Sequence, residues 1–268
     1  MKTQEERLNY LIEKFKEESL EYKNIEIPKT IEDKKVLLRS LMNIRPPKEI
    51  SNEILKIQDE YLTERAKQKG IVYLKDIKTV PYSNKISVWQ GDITRLSCDA
   101  IVNAANSRML GCFVPMHICI DNCIHTFAGV QLRNECNKIM NEFRKKYGTD
   151  YKQPTAVPII TDGYNLPAKK IIHITGPIVT TRLTTELEND LANCYKNVLD
   201  MCLKNNLKSV AFCCISTGVF NFPNKRAAEI AVETVTNWLK QNENKIDRII
   251  FNVFKTEDKK YYEEFLLN

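Results

Sequence analysis

Apolar residues recur every three or four positions through roughly the first eighty residues of the chain. The stretches "LNYLIEKF" and "EILKIQDEYL" show this spacing, and in the second one Ile54, Ile57 and Tyr61 fall on one face of a helix. The prolines of "RPP" must interrupt a helix, because proline lacks the N–H that a helix interior needs. Strand signals are few here, and Gly70 is the only glycine in this part. We therefore predict a helical N-terminal extension at residues 1–84.

From there on, short apolar runs alternate with helical stretches. We predict strands in "KISVWQGDI", "DAIVNAAN", "AVPIIT", "KIIHITGP", "SVAFCCIS" and "DRIIFNVF". Apolar runs as short and continuous as "SVAFCCIS" are typical of parallel strands that are buried on both faces. Strands that alternate with helices indicate an α/β domain around a central, mostly parallel sheet. We assign this domain to residues 85–268.

One predicted helix follows the second strand. Its apolar stripe consists of Ile124, Ala128, Leu132, Cys136, Met140 and Phe143. We expect Asp121 to cap its N-terminus and Gly148 to end it. A later helix, "FPNKRAAEIAVETVTNWLK", has Pro223 near its first turn, and "EDKKYYEEFLL" predicts a last helix.

The amino-acid composition limits which classes of protein this chain can belong to. The 268 residues are 43% hydrophobic and include no apolar run long enough to predict a transmembrane helix. The charged N-terminus lacks the apolar segment of a secretory signal, so we expect a cytoplasmic protein. Nine cysteines without regular spacing argue against a disulfide framework. The net charge of +6 fits either an anionic ligand or a lysine-rich surface. We expect a monomer with no membrane partner. We do not expect nucleic acid as a partner, because the sequence contains no basic run with interleaved aromatic residues.

The stretch "GCFVPMHICIDNCIH" concentrates three cysteines, two histidines and an aspartate. It could be a zinc site, a disulfide-bonded loop or a sulfur-rich part of the core, and a cytosolic location disfavours the disulfide. Cys112, His117 and Cys119 are ligands that suit zinc, and three ligands leave one position open for catalysis. Because the spacing lacks a C-x2-C pair, buried thiols beside a surface histidine remain the alternative. We expect Cys123 to pack and His125 to make structural hydrogen bonds.

Three predicted strand ends carry polar groups. "QGDIT" ends the first strand, "NAAN" ends the second, and "ISTGVFNFP" joins a later strand to its helix. Ligands of such sheets bind outside the carboxyl ends of the strands. In the last segment Ser216, Thr217 and Gly218 can present backbone N–H groups beside a helix N-terminus, which favours an anion. An ordinary strand-to-helix turn is the alternative.

Taken in order, "GDIT", "VNAAN", "D-x-x-IH-x-x-AG", "IHITGP" and "ISTGVF-x-x-P" resemble the macrodomain family throughout residues 85–260. The resemblance implies a three-layer α/β/α fold that binds ADP-ribose. Most macrodomains carry a glycine-rich run after "NAAN", and a Cys-x4-His-x-Cys loop replaces it here. The chain is therefore similar to the zinc-containing subgroup linked to sirtuin-type ADP-ribosyltransferases, whose members also carry a helical N-terminal extension. This implies Zn²⁺ as a cofactor, and ADP-ribose and mono-ADP-ribosylated protein as partners.

The resemblance also implies how adenine is bound. Asp92 would accept a hydrogen bond from the adenine amino group, which suits a short carboxylate at a strand end. Ile93 would lie along the adenine edge through its backbone, and Phe254 would place its ring against the base. A capping aspartate and a core phenylalanine are the respective alternatives.

For the diphosphate, the resemblance implies a cradle of five residues: Ser216, Thr217, Gly218, Val219 and Phe220. Phe220 would pack against the distal ribose, and Asn103 and Asn106 would point their amides at its hydroxyls. Asn106 could instead serve a turn. Asn221 stands where many members have glycine, but asparagine tolerates the left-handed conformation, so the loop can still form.

Asp121 matches the aspartate of the hydrolytic macrodomains and follows Cys119 by two residues. With Asn106 it forms the expected catalytic pair, since a carboxylate there can orient or deprotonate a water. The metal would polarise a substrate oxygen or lower the pKa of a water. We expect a zinc-dependent hydrolase that removes mono-ADP-ribose from acidic side chains of proteins by cleaving at C1 of the distal ribose. A non-catalytic ADP-ribose reader and a hydrolase of small ADP-ribose derivatives are the alternatives.

Overall fold

The computed structural model describes residues 2–81 and 83–267. Its strands are β1 (Val72–Tyr73), β2 (Ile86–Gln90), β3 (Leu96–Ser97), β4 (Ala100–Ala104), β5 (Ile159–Asp162), β6 (Lys170–Ile174), β7 (Ser209–Phe212) and β8 (Arg248–Val253). Its α-helices are α1 (Gln4–Glu17), α2 (Ile31–Ile44), α3 (Asn52–Lys69), α4 (Ile120–Ala128), α5 (Val130–Tyr147), α6 (Thr185–Lys204), α7 (Asn224–Gln241) and α8 (Thr256–Leu267). The six predicted strands are confirmed, whereas the two-residue strands β1 and β3 were not predicted.

Six strands form one sheet in the order β2-β8-β7-β4-β6-β5. All neighbours run parallel except β5, which is antiparallel to β6. Every residue of β7 is buried, so both faces of the sheet must be covered. This mixed, mostly parallel sheet with helices on both faces confirms the predicted three-layer α/β/α fold.

Helices α1, α2 and α3 all lie in the N-terminal extension. α2 ends at Ile44, directly before "RPP", and α3 ends at Lys69, with Gly70 as its C-cap. The three helices share an apolar core that also includes Val130 of α5. β1 pairs with β3 in a small parallel sheet, so the segment that follows α3 is hydrogen-bonded to the α/β domain. The extension is therefore packed onto that domain.

The prediction of a single helix between Asp121 and Gly148 is wrong, because the helix is interrupted at Gly129, where φ is 104°. The apolar stripe continues across the break, which hid it from the sequence pattern. The break lies against α3, where Gln58 Oε1 accepts the Val130 N–H at 3.1 Å. A Cβ on Gly129 would lie 2.5 Å from Gln131 Oε1 and 2.7 Å from Gln58 Nε2. The glycine thus allows the extension to approach closely.

Among the helices of residues 2–81 and 83–267, none combines the length and the apolar character that crossing a membrane requires.

Replacing Gly129 with alanine should destabilise the protein more than replacing Gly148. Both glycines have positive φ (104° and 110°), so each alanine carries a backbone cost of roughly 1–3 kcal/mol. Only at position 129 does the new methyl group meet neighbours, since nothing lies within 4 Å of a Cβ at position 148. Urea unfolding of Gly129→Ala and Gly148→Ala gives the comparison. Equal losses would mean that the close approach of Gln131 and Gln58 to position 129 adds no cost to the substitution.

Candidate functional site

Three polar residues and one aromatic residue follow the carboxyl ends of four strands. Because β2, β8, β7 and β4 are parallel neighbours, their carboxyl ends lie at the same edge. Asp92 follows β2, Asn106 follows β4, Ser216 follows β7 and Phe254 follows β8. The segments singled out in the sequence are thus brought together where such sheets bind ligands.

The carboxylate of Asp121 is held by two asparagine amides. Asn103 Nδ2 donates to Oδ1 at 2.8 Å, and Asn106 Nδ2 donates to Oδ2 at 3.2 Å. Asp121 is buried, and burial raises the pKa of its carboxyl to about 6 against the opposing effects of Asn103, Arg133 and Asn106. The carboxylate is therefore fixed in orientation and is a stronger proton acceptor than an exposed aspartate.

Cys119, not Asp121, caps helix α4. The Sγ atom of Cys119 accepts the backbone N–H of Asn122 at 3.4 Å. Asp121 is the second residue of the helix and turns inward. The predicted N-cap role of Asp121 is wrong, because its oxygens take the amides of Asn103 and Asn106 instead.

Asn103 is fully buried behind Asp121, so its amide does not face an open cleft. The same Nδ2 that donates to Asp121 lies 3.0 Å from His173 Nδ1. Because an amide nitrogen donates, we infer that His173 Nδ1 accepts and that its proton lies on Nε2, 2.9 Å from Thr161 Oγ1. Burial lowers the pKa of His173 to about 3, so the ring is neutral. The structure makes Asn103 a support for Asp121.

The ligand atoms of Cys112, His117 and Cys119 lie within 4.8 Å of one another. Cys112 Sγ is 3.5 Å from His117 Nδ1, and all three residues are half-buried. Two thiolates would neutralise a divalent cation, and a sulfur–nitrogen donor set suits zinc. The residues therefore fit a zinc ion with one open coordination position.

Cys123 and His125 lie on α4 outside this group. Cys123 Sγ accepts from Arg39 at 3.6 Å. Neither ring nitrogen of His125 has a hydrogen-bond partner in the described parts of the chain, and Asp121 Oδ1 is 3.6 Å from Nε2. The expected hydrogen bonds of His125 are therefore wrong. Its ring packs beneath the loop instead, where a Cβ on Gly111 would lie 2.8 Å away.

A second set of possible metal ligands is fully buried and consists of His125, Cys136 and His173. The Nε2 atom of His173 faces Thr161 Oγ1 at 2.9 Å and Cys136 Sγ at 3.8 Å. Since this nitrogen carries the proton in the tautomer inferred above, it is not free to bind a metal. We interpret this cluster as core packing that supports Asn103.

Asp92 is bound by a lysine of the helical extension. Lys69 Nζ lies 2.6 Å from Oδ2, and Thr94 donates its N–H and its hydroxyl to Oδ1 at 2.9 and 2.6 Å. Asp92 thus also caps the short 3₁₀ turn that follows. Lys69 Nζ sits 3.5 Å from the ring centroid of Phe127. Burial acts to raise the pKa of the Asp92 carboxyl, but Lys69 and Thr94 outweigh it and hold the pKa below its ordinary value.

The other two expected adenine contacts differ in exposure. The side chain of Ile93 is buried, which leaves its backbone as the part that can meet a ligand. The side chain of Phe254 is 77% exposed directly after β8, so this ring does not belong to the core. An exposed aromatic ring after β8, the strand paired with β2, is available for stacking on a base.

The loop after β7 has open backbone donors. Ser216 and Asn221 both have positive φ, at 66° and 56°, and the left-handed conformation of Asn221 is the one expected for it. The loop is closed by the N–H of Phe222, which donates to Ser216 O at 3.0 Å, while Thr217 Oγ1 donates to Cys214 O at 3.0 Å. Within this loop, whose residues are all described, four backbone N–H groups find no acceptor: those of Ser216, Gly218, Val219 and Phe220. This loop can bind an anion.

Two cations that hold parts of this site were not predicted from the sequence. Arg133 Nε donates to Leu110 O at 2.8 Å, and its Nη1 donates to Asn43 O at 2.8 Å. A signal existed for Arg133, because it falls three residues before Cys136 on the buried face of a helix. For Lys69 there was none, since a basic residue in the last turn of a helix is ordinary.

A model of the macro domain matches residues 102–231 of the chain. A protein-ADP-ribose hydrolase of Treponema medium is 49% identical over 266 residues, which cover 98% of this chain and 99% of that protein. This chain belongs to the macro domain family. A protein-ADP-ribose hydrolase of Staphylococcus aureus strain MRSA252 is 44% identical over 265 residues, covering 98% and 96%. Because both alignments span nearly the whole chain, they include the helical extension.

The crystal structure of a Trypanosoma brucei macrodomain in complex with ADP-ribose superposes on this chain with a TM-score of 0.63 and 29% identity. The match covers 84% of this chain and 94% of that one. The macro domain match runs from β4 into α7, so it contains Asn106, Asp121 and the loop after β7. Asp92 and Phe254 lie outside it. The resemblance found in the sequence is thus confirmed.

The buried histidine on β6 should make the fold of this macrodomain sensitive to acid. The pKa of His173 is about 3 in the folded chain and near its ordinary 6.5 once unfolded, so the unfolded state binds more protons between these values. The free energy of unfolding should therefore fall as the pH falls from 6.5 towards 3, by up to about 1.4 kcal/mol per pH unit. Urea unfolding across this range should give a flatter pH profile for His173→Gln than for the wild type. If the free energy of unfolding depends on pH identically in the two proteins, His173 is ruled out as the source of the acid sensitivity.

Proposed function

We propose that this macrodomain protein is a zinc-dependent hydrolase that removes mono-ADP-ribose from modified proteins. Relatives that carry the name protein-ADP-ribose hydrolase match 98% of the chain. The observation that carries the proposal is the oriented, buried carboxylate of Asp121, two residues beyond Cys119 and so beside the metal-ligating group. A protein that only bound ADP-ribose would need the pocket but not this carboxylate.

The ligand would lie along the carboxyl edge of the sheet. Asp92 would accept from the adenine amino group, Ile93 would offer its backbone, and Phe254 would stack on the base. The backbone N–H groups without acceptors in the loop after β7 would bind the diphosphate. The distal ribose would then lie near Asn106. The match to a macrodomain solved with ADP-ribose supports this arrangement.

The bond to be broken joins C1 of the distal ribose to an acceptor side chain of the modified protein. Positive charge develops on the ribose as this bond lengthens, and the nearby Asp121 carboxylate favours that charge. Asp121 can also accept a proton from the water that attacks C1, while Asn106 keeps its carboxylate in place. When bound, Zn²⁺ supplies a positive charge that polarises a substrate oxygen.

Acidic side chains are the substrate linkage that this geometry favours. Both oxygens of Asp121 accept hydrogen bonds from amides, an arrangement that suits a proton acceptor more than a proton donor. A carboxylate leaves as a stable anion and needs no proton donor, unlike an amine or a guanidine. We therefore propose esters of aspartate and glutamate as substrates.

We place this activity in the cytosol and assign it to a monomer whose partner is the modified protein, not nucleic acid or a membrane. The thiols of all nine cysteines are free, which suits a reducing compartment. The modest net charge of +6 favours an anionic ligand without a concentrated basic surface.

Replacing Asp121 with asparagine should lower turnover by roughly 10²- to 10⁴-fold, because the proton acceptor is lost while the shape is kept. The assay is release of ADP-ribose from a protein mono-ADP-ribosylated on acidic side chains, with enzyme at catalytic amounts. Asp162→Asn, on the surface beside Lys170, is the matched control and should keep full activity. A wild type that binds ADP-ribose but releases none would support the reader or a hydrolase of another linkage. Near-normal turnover by Asp121→Asn would reject the mechanism.

Purified wild-type protein should hold about one zinc ion per chain. Replacing Cys119 with alanine removes one of three ligands, so elemental analysis should show most of that zinc lost and turnover should fall with it. Cys123→Ala is the control, because this thiol lies outside the ligand group and should leave the zinc content unchanged. Zinc-free wild type from carefully prepared material would exclude the metal.

A further inference from the structure

The loop that supplies the proposed metal ligands has no regular structure of its own. We call residues 110–119 the metal loop, and none of them lies in a helix or a strand. Its shape must therefore come from contacts made by other parts of the chain. Several of these contacts come from helix α2 of the N-terminal extension.

Arg39 of α2 reaches the loop directly. Its Nη2 donates to His117 O at 2.9 Å and to Asn122 Oδ1 at 2.9 Å. Asn122 Nδ2 in turn donates to Cys112 O at 3.3 Å and to Val114 O at 2.9 Å. One guanidinium thus connects the part of the loop that carries His117 with the part that carries Cys112.

Asn43 lies one helical turn after Arg39, on the same face of α2. Its side chain is buried, and Oδ1 accepts the backbone N–H of Met116 at 3.0 Å. Met116 directly precedes His117 and has a φ of 58°, a conformation that a non-glycine residue adopts only at a cost. Nδ2 of Asn43 donates to Thr126 Oγ1 at 2.8 Å, which ties the same side chain to α4. Asn43 therefore fixes the turn from which the His117 side chain projects.

We propose that Arg39 and Asn43 are positioning residues for the metal site, so that the helical extension sets how tightly zinc is held. This inference rests on the zinc site of the proposed function. The two residues fix the backbone on which His117 and Cys112 sit, and ligand groups held in place by hydrogen bonds bind metal more tightly. A guanidinium beside the site is tolerable, because two cysteine thiolates neutralise a bound Zn²⁺.

The test compares two arginines of the same extension. Arg39→Met removes the contacts with the loop, whereas Arg7→Met removes a hydrogen bond between α1 and Glu60 of α3 and touches no loop residue. Full-length proteins are stripped of metal, and zinc affinity is measured by competition with a chromophoric chelator. Arg39→Met should bind zinc about tenfold more weakly or worse, and Arg7→Met should stay within about twofold of the wild type. Arg39→Lys, which keeps a cationic donor, should recover part of the loss.

Thermal unfolding of the metal-free proteins distinguishes a role of Arg39 in positioning the loop from a general loss of stability. If Arg39 positions the loop, metal-free Arg39→Met should melt within a few degrees of metal-free Arg7→Met while its zinc affinity falls. Wild-type zinc affinity in Arg39→Met, an equal loss in both variants, or a wild type that binds no zinc would overturn the inference. Wild type that binds zinc but releases no ADP-ribose would contradict the hydrolase proposal and leave this inference standing.

Discussion

A buried carboxylate governs the architecture of this site. Asp121 is 5% exposed, and a charge so removed from water is costly unless hydrogen bonds satisfy it. Asn103 and Asn106 supply those bonds, and each is itself held: Asn103 by His173 on the neighbouring strand, and Asn106 by Gly111 O at 3.2 Å. The orientation of this carboxylate thus depends on β4, on β6 and on the metal loop. This explains why polar residues occupy otherwise apolar strands.

The helical extension belongs to the same network, although it precedes the α/β domain in the chain. It reaches the edge of the sheet at two places: Lys69 pairs with Asp92, and Arg39 and Asn43 hold the metal loop. Lys69 and Arg39 donate to a carboxylate and to a backbone carbonyl, whereas Asn43 accepts the backbone N–H of Met116. Homologues that match 98% of the chain share this extension, as expected if it contributes to the site as well as to stability.

The sequence predicted those parts of the fold that depend on local patterns. The buried strands, the end of α2 and the order of the strand-end motifs were found because apolar runs and prolines act on their neighbours in the chain. The break at Gly129 was missed because the apolar stripe continues across it. The group that accepts the Val130 N–H at this break is Gln58, which lies some seventy residues away in the chain. Arg39 and Lys69 were missed for the same reason, since their partners are set by tertiary packing and a surface lysine or arginine has the same local pattern.

In the proposed function, metal ligands take the place of a glycine-rich run, which changes how the loop is ordered. A flexible loop loses conformational entropy when it adopts one shape, and here two sources of order act on the same ten residues: the side chains of α2 and, in the proposed function, a zinc ion. Linkage requires that they strengthen one another equally, since whatever factor the extension adds to zinc affinity, zinc adds to the docking of the extension. Because the same loop backbone also accepts from Asn106, through Gly111 O, this coupling reaches Asp121. In the proposed function, the metal, the extension and the carboxylate of Asp121 would therefore form one cooperative unit.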